Sequence, residues 1–569
     1  MLGALEWGSD GVAAVLRDLA IPYITINPGA SYRGLHDSIV NYLGDTQPEM
    51  LLRLHEDHVV SIAHGYAKVT GTPLFAAVHS NVGLMHASMG IFNAWCDRVP
   101  MIVLGAHGPA DAAKRRPWIE WIHTVADLGA IVRPYTKWDD HPASVPAAAE
   151  SLLRANQIAR TVPRGPVFVS FDMSLQEEPL DPNVTLPKAS DFALPSAVRP
   201  SAHDVERIAQ LLATAKHPAI VIGRVSRDLE RWNERIALAE RLAAAVFTDR
   251  RIAAAFPTDH ALHVGTLPAL APRLHDADVI LDLDALELAG ALRTAWQGSR
   301  VDATVIVCSP DRYVHGGWSK DYEALPPAAI DVPVDPDELV PLLLDALRDR
   351  PIAAVKRDAP AATGGAGTRN GATAASEGID MVAATSALRR AIGADDACLI
   401  RLPLGTDYRQ LAFHHPLDYL GGDGGGGLGA GPGLAVGAAL ALRGTSRLPI
   451  AFLGDGDYLM GVTALWTAVR HRIPLLVLVA NNRSYGNDVD HQASIARDRS
   501  RPVERKWIGQ RIDDPPPDLA ALARAQGAQG IGPVTSLALL DDALRDAIRV
   551  VREGNVCVVD IVTAPKSDT

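Results

Sequence analysis

The chain of 569 residues is too long for one hydrophobic core; at roughly 100–200 residues per domain it calls for two to four domains, with three as the starting expectation. Hydrophobic residues make up 48% and charged residues 21%, the balance of a soluble globular protein, which excludes a disordered or fibrous chain. A formal net charge of −12 repels nucleic acid and anionic membrane at long range, so neither is expected as a partner.

At the N-terminus, Glu6, Asp10 and Asp18 interrupt what would have to be a signal sequence, and no apolar run long enough to span a bilayer follows; the expected location is the cytoplasm. Cys96, Cys308, Cys398 and Cys557 lie far apart with no CxxC pair, as reduced core residues do. In chain order, the strand-like run YITI leads into Asn27-Pro28-Gly29, and MLLRLH leads into a helix after Glu56, with the strand expected to end at His55. The segments AAVHS and MIVLGA (101–106) follow. A proline-rich stretch, 176–200, then breaks the pattern before PAIVIG (218–223), FPTDHALHVGTLPAL (256–270) and VILDLD (279–284). Residues 351–378, rich in alanine, glycine and threonine without periodicity, read as a flexible linker. Beyond it come a glycine-rich run, 421–433, and the strands PIAFLG (449–454) and LLVLVAN (475–481). Short apolar runs spaced by a helix's length imply parallel sheets covered on both faces. The expected fold class is α/β, with three doubly wound parallel-sheet domains at 1–180, 190–350 and 379–569.

The stretch 449–486 is the most informative. A strand, Gly454-Asp455-Gly456, a helix-periodic segment and a second strand ending at Asn481-Asn482 make one βαβ unit, so Asp455 and Asn482 should sit side by side at the carboxyl edge of one sheet. A carboxylate and an amide oxygen are hard ligands suited to Mg²⁺. Gly454 and Gly456 permit close backbone approach, and the following helix N-terminus favours an anion. Asp457 is expected to face solvent at the helix start, and Asp57 to serve only the helix N-terminus.

This pattern resembles the GDG…NN signature of the thiamine diphosphate enzymes. The resemblance implies that Asp455, Asn482 and the backbone oxygen of Ser484 hold Mg²⁺, that thiamine diphosphate is the cofactor, and that the chain makes or breaks a carbon–carbon bond beside a carbonyl. It implies a thiamine diphosphate-binding fold with a central Rossmann-like domain, the first domain binding the aminopyrimidine and the third the diphosphate and metal. LLRLHEDHVVSIAHGYAKVTG resembles the family's activating-glutamate segment and assigns that role to Glu56. Asn27, Pro28 and Gly29 match the turn lining the aminopyrimidine pocket; Gly427 and Leu428 match the segment whose bulky residue bends the cofactor.

Within the family, AVHS followed by MGIFNAWCDRVPMIVLGA resembles the benzoylformate decarboxylase branch and makes His79 an acid–base candidate. That branch has a serine directly after the Pro-Gly turn; here Ala30 stands there and Ser31 follows. FPTDHALHVG implies a central-domain histidine near the site, His260, with His263 as the alternative. Acetolactate synthase and 2-hydroxyacyl-CoA lyase share the scaffold. The turn VIGRVSRD lacks the glycine pair of flavin-binding members, so no FAD is expected. Arg497, Arg499, Arg501, Arg505, Lys506 and Arg511 form a basic segment leaving the metal motif, read either as a solvated face or as a lid over an anionic small molecule, a 2-oxo acid or an acyl-CoA. A homodimer or homotetramer with active sites shared between subunits completes the expectation.

Overall fold

The computed structural model describes residues 4–117, 119–249, 251–313, 324–353, 378–403, 406 and 411–564. Six strands form the first sheet: β1 (Tyr23–Ile26), β2 (Glu49–Leu52), β3 (Phe75–Ala77), β4 (Met101–His107), β5 (Asp139–Asp140) and β6 (Pro166–Asp172), in the order β2-β1-β3-β4-β6-β5. The central sheet holds β7 (Pro218–Ile222), β8 (Ala245–Asp249), β9 (His263–Leu267), β10 (Val279–Leu283), β11 (Thr304–Cys308) and β12 (Ile330–Val332), ordered β12-β11-β10-β7-β8-β9. β13 (Ala397–Arg401), β14 (Leu448–Gly454), β15 (Leu475–Asn481), β16 (Gln529–Val534) and β17 (Val556–Val562) make the third, ordered β13-β14-β15-β17-β16.

Neighbouring strands pair in parallel, as in Ile24↔Met50, Ile24↔Phe75 and Ile450↔Leu476. β4, β14 and β15 are apolar and buried along nearly their whole length because helices cover both faces, which is why they appear as continuous hydrophobic runs. The linker expected over 351–378 lies, apart from its ends, outside the described residues. No helix among the described residues is long and apolar enough to cross a membrane, and all four cysteines are buried.

One boundary differs from the sequence reading. β2 ends at Leu52 rather than His55, and His55 instead caps the helix Glu56–Thr70, its Nδ1 accepting from the Asp57 N–H at 3.1 Å. Glu56 is therefore the first residue of that helix, where the unpaired N–H groups favour a negative charge. At the other end Gly71 stops the helix with a φ of +68°.

The first and third domains meet where Glu56–Thr70 crosses the helix Ala430–Ala441. A Cβ on Gly65 would lie 2.0 Å from the Leu434 carbonyl oxygen, and one on Gly437 would lie 2.0 Å from the Ile62 carbonyl oxygen. Each helix thus presents a glycine to the other's backbone, and the two approach more closely than any side chain would allow. The central domain is tied in by ions: Arg224, just beyond β7, bonds Asp284 at 3.2 Å and Asp311 at 3.0 Å, and Arg98 of the first domain pairs with the same Asp311.

Gly65→Ala is expected to destabilise the protein by about 1–3 kcal/mol through overpacking at this crossing. The effect should appear as a lower denaturant midpoint at unchanged slope. A midpoint equal to the parent's would show that the two helices can separate without loss.

Candidate functional site

Two sheet edges carry the polar residues singled out in the sequence. On the first sheet, the carboxyl ends of β1 and β3 flank the point where the strand order reverses, the position at which open α/β sheets bind ligands. Asn27-Pro28-Gly29 leaves β1 there, and Val78-His79 leaves β3. A Cβ on Gly29 would fall 2.3 Å from the His79 ring, so the turn needs glycine to admit the imidazole.

Glu56 sits at the same edge, 7% exposed. His86, from the helix Ser80–Cys96, donates from Nδ1 to Glu56 Oε2 at 3.2 Å, and the Asn27 side chain bonds the same carboxylate. Gly83 on that helix leaves room: a Cβ there would be 3.2 Å from Glu56 Oε1. Burial opposes the charge, but the backbone N–H at the helix start, the bonds from His86 and Asn27, and the charge of His86 outweigh it and hold Glu56 below the usual carboxylate range. Glu56 is thus anionic at neutral pH. His55 stacks on His86 with centroids 5.0 Å apart, while its Nδ1 accepts from the Asp57 N–H. Asp57 does more than favour the helix end, since its carboxylate also accepts from Ser61 Oγ at 3.3 Å.

His79 is bonded on both ring nitrogens. Nδ1 meets Ser31 Oγ at 2.7 Å, and Nε2 meets His123 Nδ1 at 3.2 Å, the two imidazoles standing edge to face at 4.6 Å. The serine that stands one place late in the sequence reaches the histidine all the same, because the short 3₁₀ turn Ala30–Tyr32 swings it inward. Burial, and secondly the neighbouring His123, lower His79 from its usual range, so it is neutral at pH 7 and free to take up a proton.

On the third sheet, β14 ends at Gly454 and the helix Asp455–Gly461 begins at once. Beside it, β15 ends at Asn481 and the chain turns through Asn482 and Ser484. A single N–H, that of Ser484, donates to both Asp455 Oδ2 at 3.2 Å and Asn482 Oδ1 at 3.0 Å. The three residues expected to act together are therefore brought together. The partners of the buried Asp455 carboxylate among the described residues are backbone N–H groups, with no basic side chain, and burial pushes it up to about 6. A buried carboxylate without a cationic partner, converging with an amide oxygen, suits a hard divalent ion. The two flanking glycines differ: a Cβ on Gly456 would press on the Tyr485 ring at 2.9 Å, whereas Gly454 faces open space.

Asp457 corrects the sequence reading. It is 3% exposed rather than solvent-facing, and its Oδ1 accepts from the N–H groups of Gly429 at 2.7 Å and Gly431 at 3.3 Å. It thereby caps the helix Ala430–Ala441, while Arg401 pairs with Asp457 at 3.4 Å and Asp423 at 2.9 Å. The glycine run ahead of this helix packs on Ser80–Cys96: a Cβ on Gly427 would meet Met89 at 2.6 Å. Leu428 remains 47% exposed at the tip of the run.

His260 is not brought to these residues. Its Nε2 meets Glu240 at 3.2 Å within the central domain, and His263 is bonded to Thr248 and the Thr258 carbonyl. The basic segment is anchored beside the Asn482–Ser484 turn, with Tyr485 N–H donating to the Gln510 carbonyl and Lys506 and Arg511 lying over the Trp507 ring at 5.2 and 5.0 Å. Sequence reasoning missed His86, His123 and Asp457; only His86, on the helix after His79, carried even a positional signal.

These edges and sheets define an α/β enzyme of three parallel-sheet domains. Family profiles match in the same three parts: the N-terminal TPP binding domain of thiamine pyrophosphate enzymes over residues 6–128, the central domain over 205–286 and the C-terminal TPP binding domain over 405–561. The chain belongs to the thiamine pyrophosphate enzyme family. Among its relatives, benzoylformate decarboxylase of Pseudomonas aeruginosa is 25% identical over 516 residues, 88% of this chain and 89% of the relative. Acetolactate synthase isozyme 1 large subunit of Escherichia coli is 22% identical over 497 residues, 84% and 82%. The solved structure of a thiamine diphosphate-dependent 4-hydroxybenzoylformate decarboxylase from Rhodococcus jostii shares the fold, with a TM-score of 0.79 at 23% identity over 98% of this chain and 99% of that one.

If the Asp455 turn holds the metal, Asp455→Ala should weaken Mg²⁺-dependent binding of thiamine diphosphate by at least ~10–100-fold, the loss typical of an outer-shell partner alone. Calorimetric titration at fixed Mg²⁺ reads it. Parent-like affinity would remove Asp455 from the metal set.

Proposed function

We propose that this chain is a Mg²⁺- and thiamine diphosphate-dependent, non-oxidative 2-oxo acid decarboxylase resembling benzoylformate decarboxylase. The observation that carries the reading is the Ser31–His79–His123 array standing at the same sheet edge as the buried, hydrogen-bonded Glu56. When bound, thiamine diphosphate supplies an electron sink for the pair released as a carbon–carbon bond beside a carbonyl breaks. In the balanced reaction the bond between carbonyl and carboxylate carbons breaks, CO₂ leaves, and a proton takes its place to give an aldehyde; no oxidant is consumed.

The residues divide the work. Asp455, the Asn482 amide oxygen and the Ser484 carbonyl hold Mg²⁺ at the third sheet, with the Gly454–Gly456 turn beside the diphosphate. Glu56 would hold a proton at the cofactor's pyrimidine nitrogen, Asn27, Pro28 and Gly29 would line the pocket beside it, and Leu428 with Gly427 would pack against the bound cofactor. His79 delivers the proton that replaces CO₂, and His123 and Ser31 orient it and pass protons to it. The basic segment around Arg499, Arg501 and Arg505 draws in the substrate carboxylate. Its number of exposed guanidinium groups favours a second reading, a 2-hydroxyacyl-CoA lyase; an acetolactate synthase-like carboligase uses the same machinery. Mutual pairing of Arg224 and Asp284 at the central sheet's reversal point supports a central domain without FAD. Met85 and Met460, 54% and 55% exposed near the two edges, support a homodimer or homotetramer whose partner subunit covers them. The proposed setting is the cytoplasm, with no nucleic acid or membrane partner, and His260 keeps only a substrate-proximal role reached through that assembly.

A panel of 2-oxo acids and 2-hydroxyacyl-CoAs tests the reading. CO₂ release and aldehyde formation from a 2-oxo acid, requiring both Mg²⁺ and thiamine diphosphate, is expected; turnover of acyl-CoAs alone would overturn it. On the best substrate, His79→Ala should lower kcat ~10²–10⁴-fold with cofactor affinity retained. Unchanged kcat would return His79 to a packing role.

The pH profile isolates His123. Because His79 delivers its proton from the charged form, activity is lost as pH rises through its pKa, and the alkaline limb of kcat should lie below the usual histidine value of 6.5 in the parent, since burial and the adjacent His123 both lower it. His123→Gln removes one of those causes and should move the limb upward. A limb that stays in place would mean that His123 does not act on His79.

A further inference from the structure

Arg53 is the first residue beyond β2, and its N–H still donates to the Ile26 carbonyl at 2.8 Å. Its side chain therefore follows Leu51, two residues earlier, onto the face packed against the third domain. The residue is completely buried. Nη1 donates to the Leu52 carbonyl at 3.0 Å, but Nε and Nη2, among the described residues, have no acceptor in the protein.

Two imidazoles share this condition. His58, on the helix that begins at Glu56, bonds Thr463 Oγ1 through Nε2 at 2.7 Å, leaving buried Nδ1 without a hydrogen bond, 4.0 Å from Asp57 Oδ2. His471, which ends the third-domain helix Ala464–Arg470, has Nδ1 4.0 Å from Glu49 and a buried, unpaired Nε2. Both imidazoles are pushed down to about 4, first by burial and in part by the charge of Arg53; His55 acts likewise on His58, and Arg470 and Arg443 on His471. Glu56 alone pulls His58 the other way. Burial lowers Arg53 to about 9, which leaves it cationic at neutral pH.

A buried cation thus stands beside two neutral rings, and the unpaired atoms can all be donors when Thr463 gives its hydroxyl proton to His58 Nε2, since the ring proton then stands on Nδ1. An unpaired buried charge is costly, and a donor-only set is satisfied by a ligand that only accepts. We propose that Arg53, His58 and His471 form a binding site for one small inorganic anion, a halide such as chloride, between the first and third domains. The anion pins the end of β2, three residues before Glu56, to the helix Ala464–Arg470. Thr467 Oγ1 donates directly to the Leu52 carbonyl at 3.1 Å alongside it, as the His58–Thr463 pair also bonds between the two domains.

The test uses the cofactor-loaded full chain. Crystals grown in bromide should show an anomalous peak in contact with Arg53 Nε and Nη2. In solution, replacing gluconate by chloride or bromide at constant ionic strength should raise Tm saturably by about 2–4 °C, and the rise should vanish in Arg53→Met and shrink in His471→Gln. Density at the site without anomalous signal, together with a parent Tm indifferent to halide, would show an ordered water and overturn the proposal. Because the crystal and the parent titration need no variant, a misfolded Arg53→Met leaves the test intact, and neither readout depends on activity.

Discussion

The crossing of Glu56–Thr70 and Ala430–Ala441 is the contact from which the rest of the site takes its geometry. Each helix begins at residues proposed for the site: one at Glu56 itself, the other directly after the glycine run that carries Gly427 and Leu428. With Gly65 and Gly437 set against the opposing backbones, neither helix can slide or rotate without a clash. Asp457 extends this rigidity into the turn proposed to hold the metal. By capping Ala430–Ala441 from within the sequence Asp455-Gly456-Asp457, it makes the helix that packs on Glu56's helix continuous in hydrogen bonds with the turn that presents Asp455. One glycine crossing and one buried aspartate therefore connect the two sheet edges within a chain.

Electrostatics separates the carboxylates these edges present. Glu56 receives bonds from an imidazole, an amide and a helix N-terminus, and is held in its charged form despite burial. Asp455 receives backbone N–H groups only, and burial raises it to about 6. The first environment suits a carboxylate that handles a proton with its charge already compensated; the second calls for a cation. Arg401 keeps the third acid, Asp457, out of this division by neutralising it together with Asp423.

Much of this was legible in the sequence where chemistry and spacing coincide locally. The apolar runs became β4, β14 and β15, and Asp455, Asn482 and Ser484 converge because one βαβ unit suffices to bring them together. What remained hidden depends on partners that meet only in the fold. Nothing adjacent to Asp457 reveals that Gly429 and Arg401 will bury it, and the same is true of Glu56 and His86, which come from different βα units. His123 lies among short 3₁₀ turns without periodicity, so its approach to His79 had no pattern to betray it. His260 shows the converse: a resemblance confined to its own segment carries no information about Glu240, which bonds it.

Hydrogen–deuterium exchange at the thiazolium C2 of bound thiamine diphosphate tests the proposed role of Glu56 directly, without any knowledge of the substrate. With Mg²⁺ and cofactor bound to both proteins, Glu56→Gln should exchange C2 ~10²–10⁴-fold more slowly than the parent. Exchange as fast as the parent's would contradict the account, since the carboxylate would then play no part in activating the cofactor.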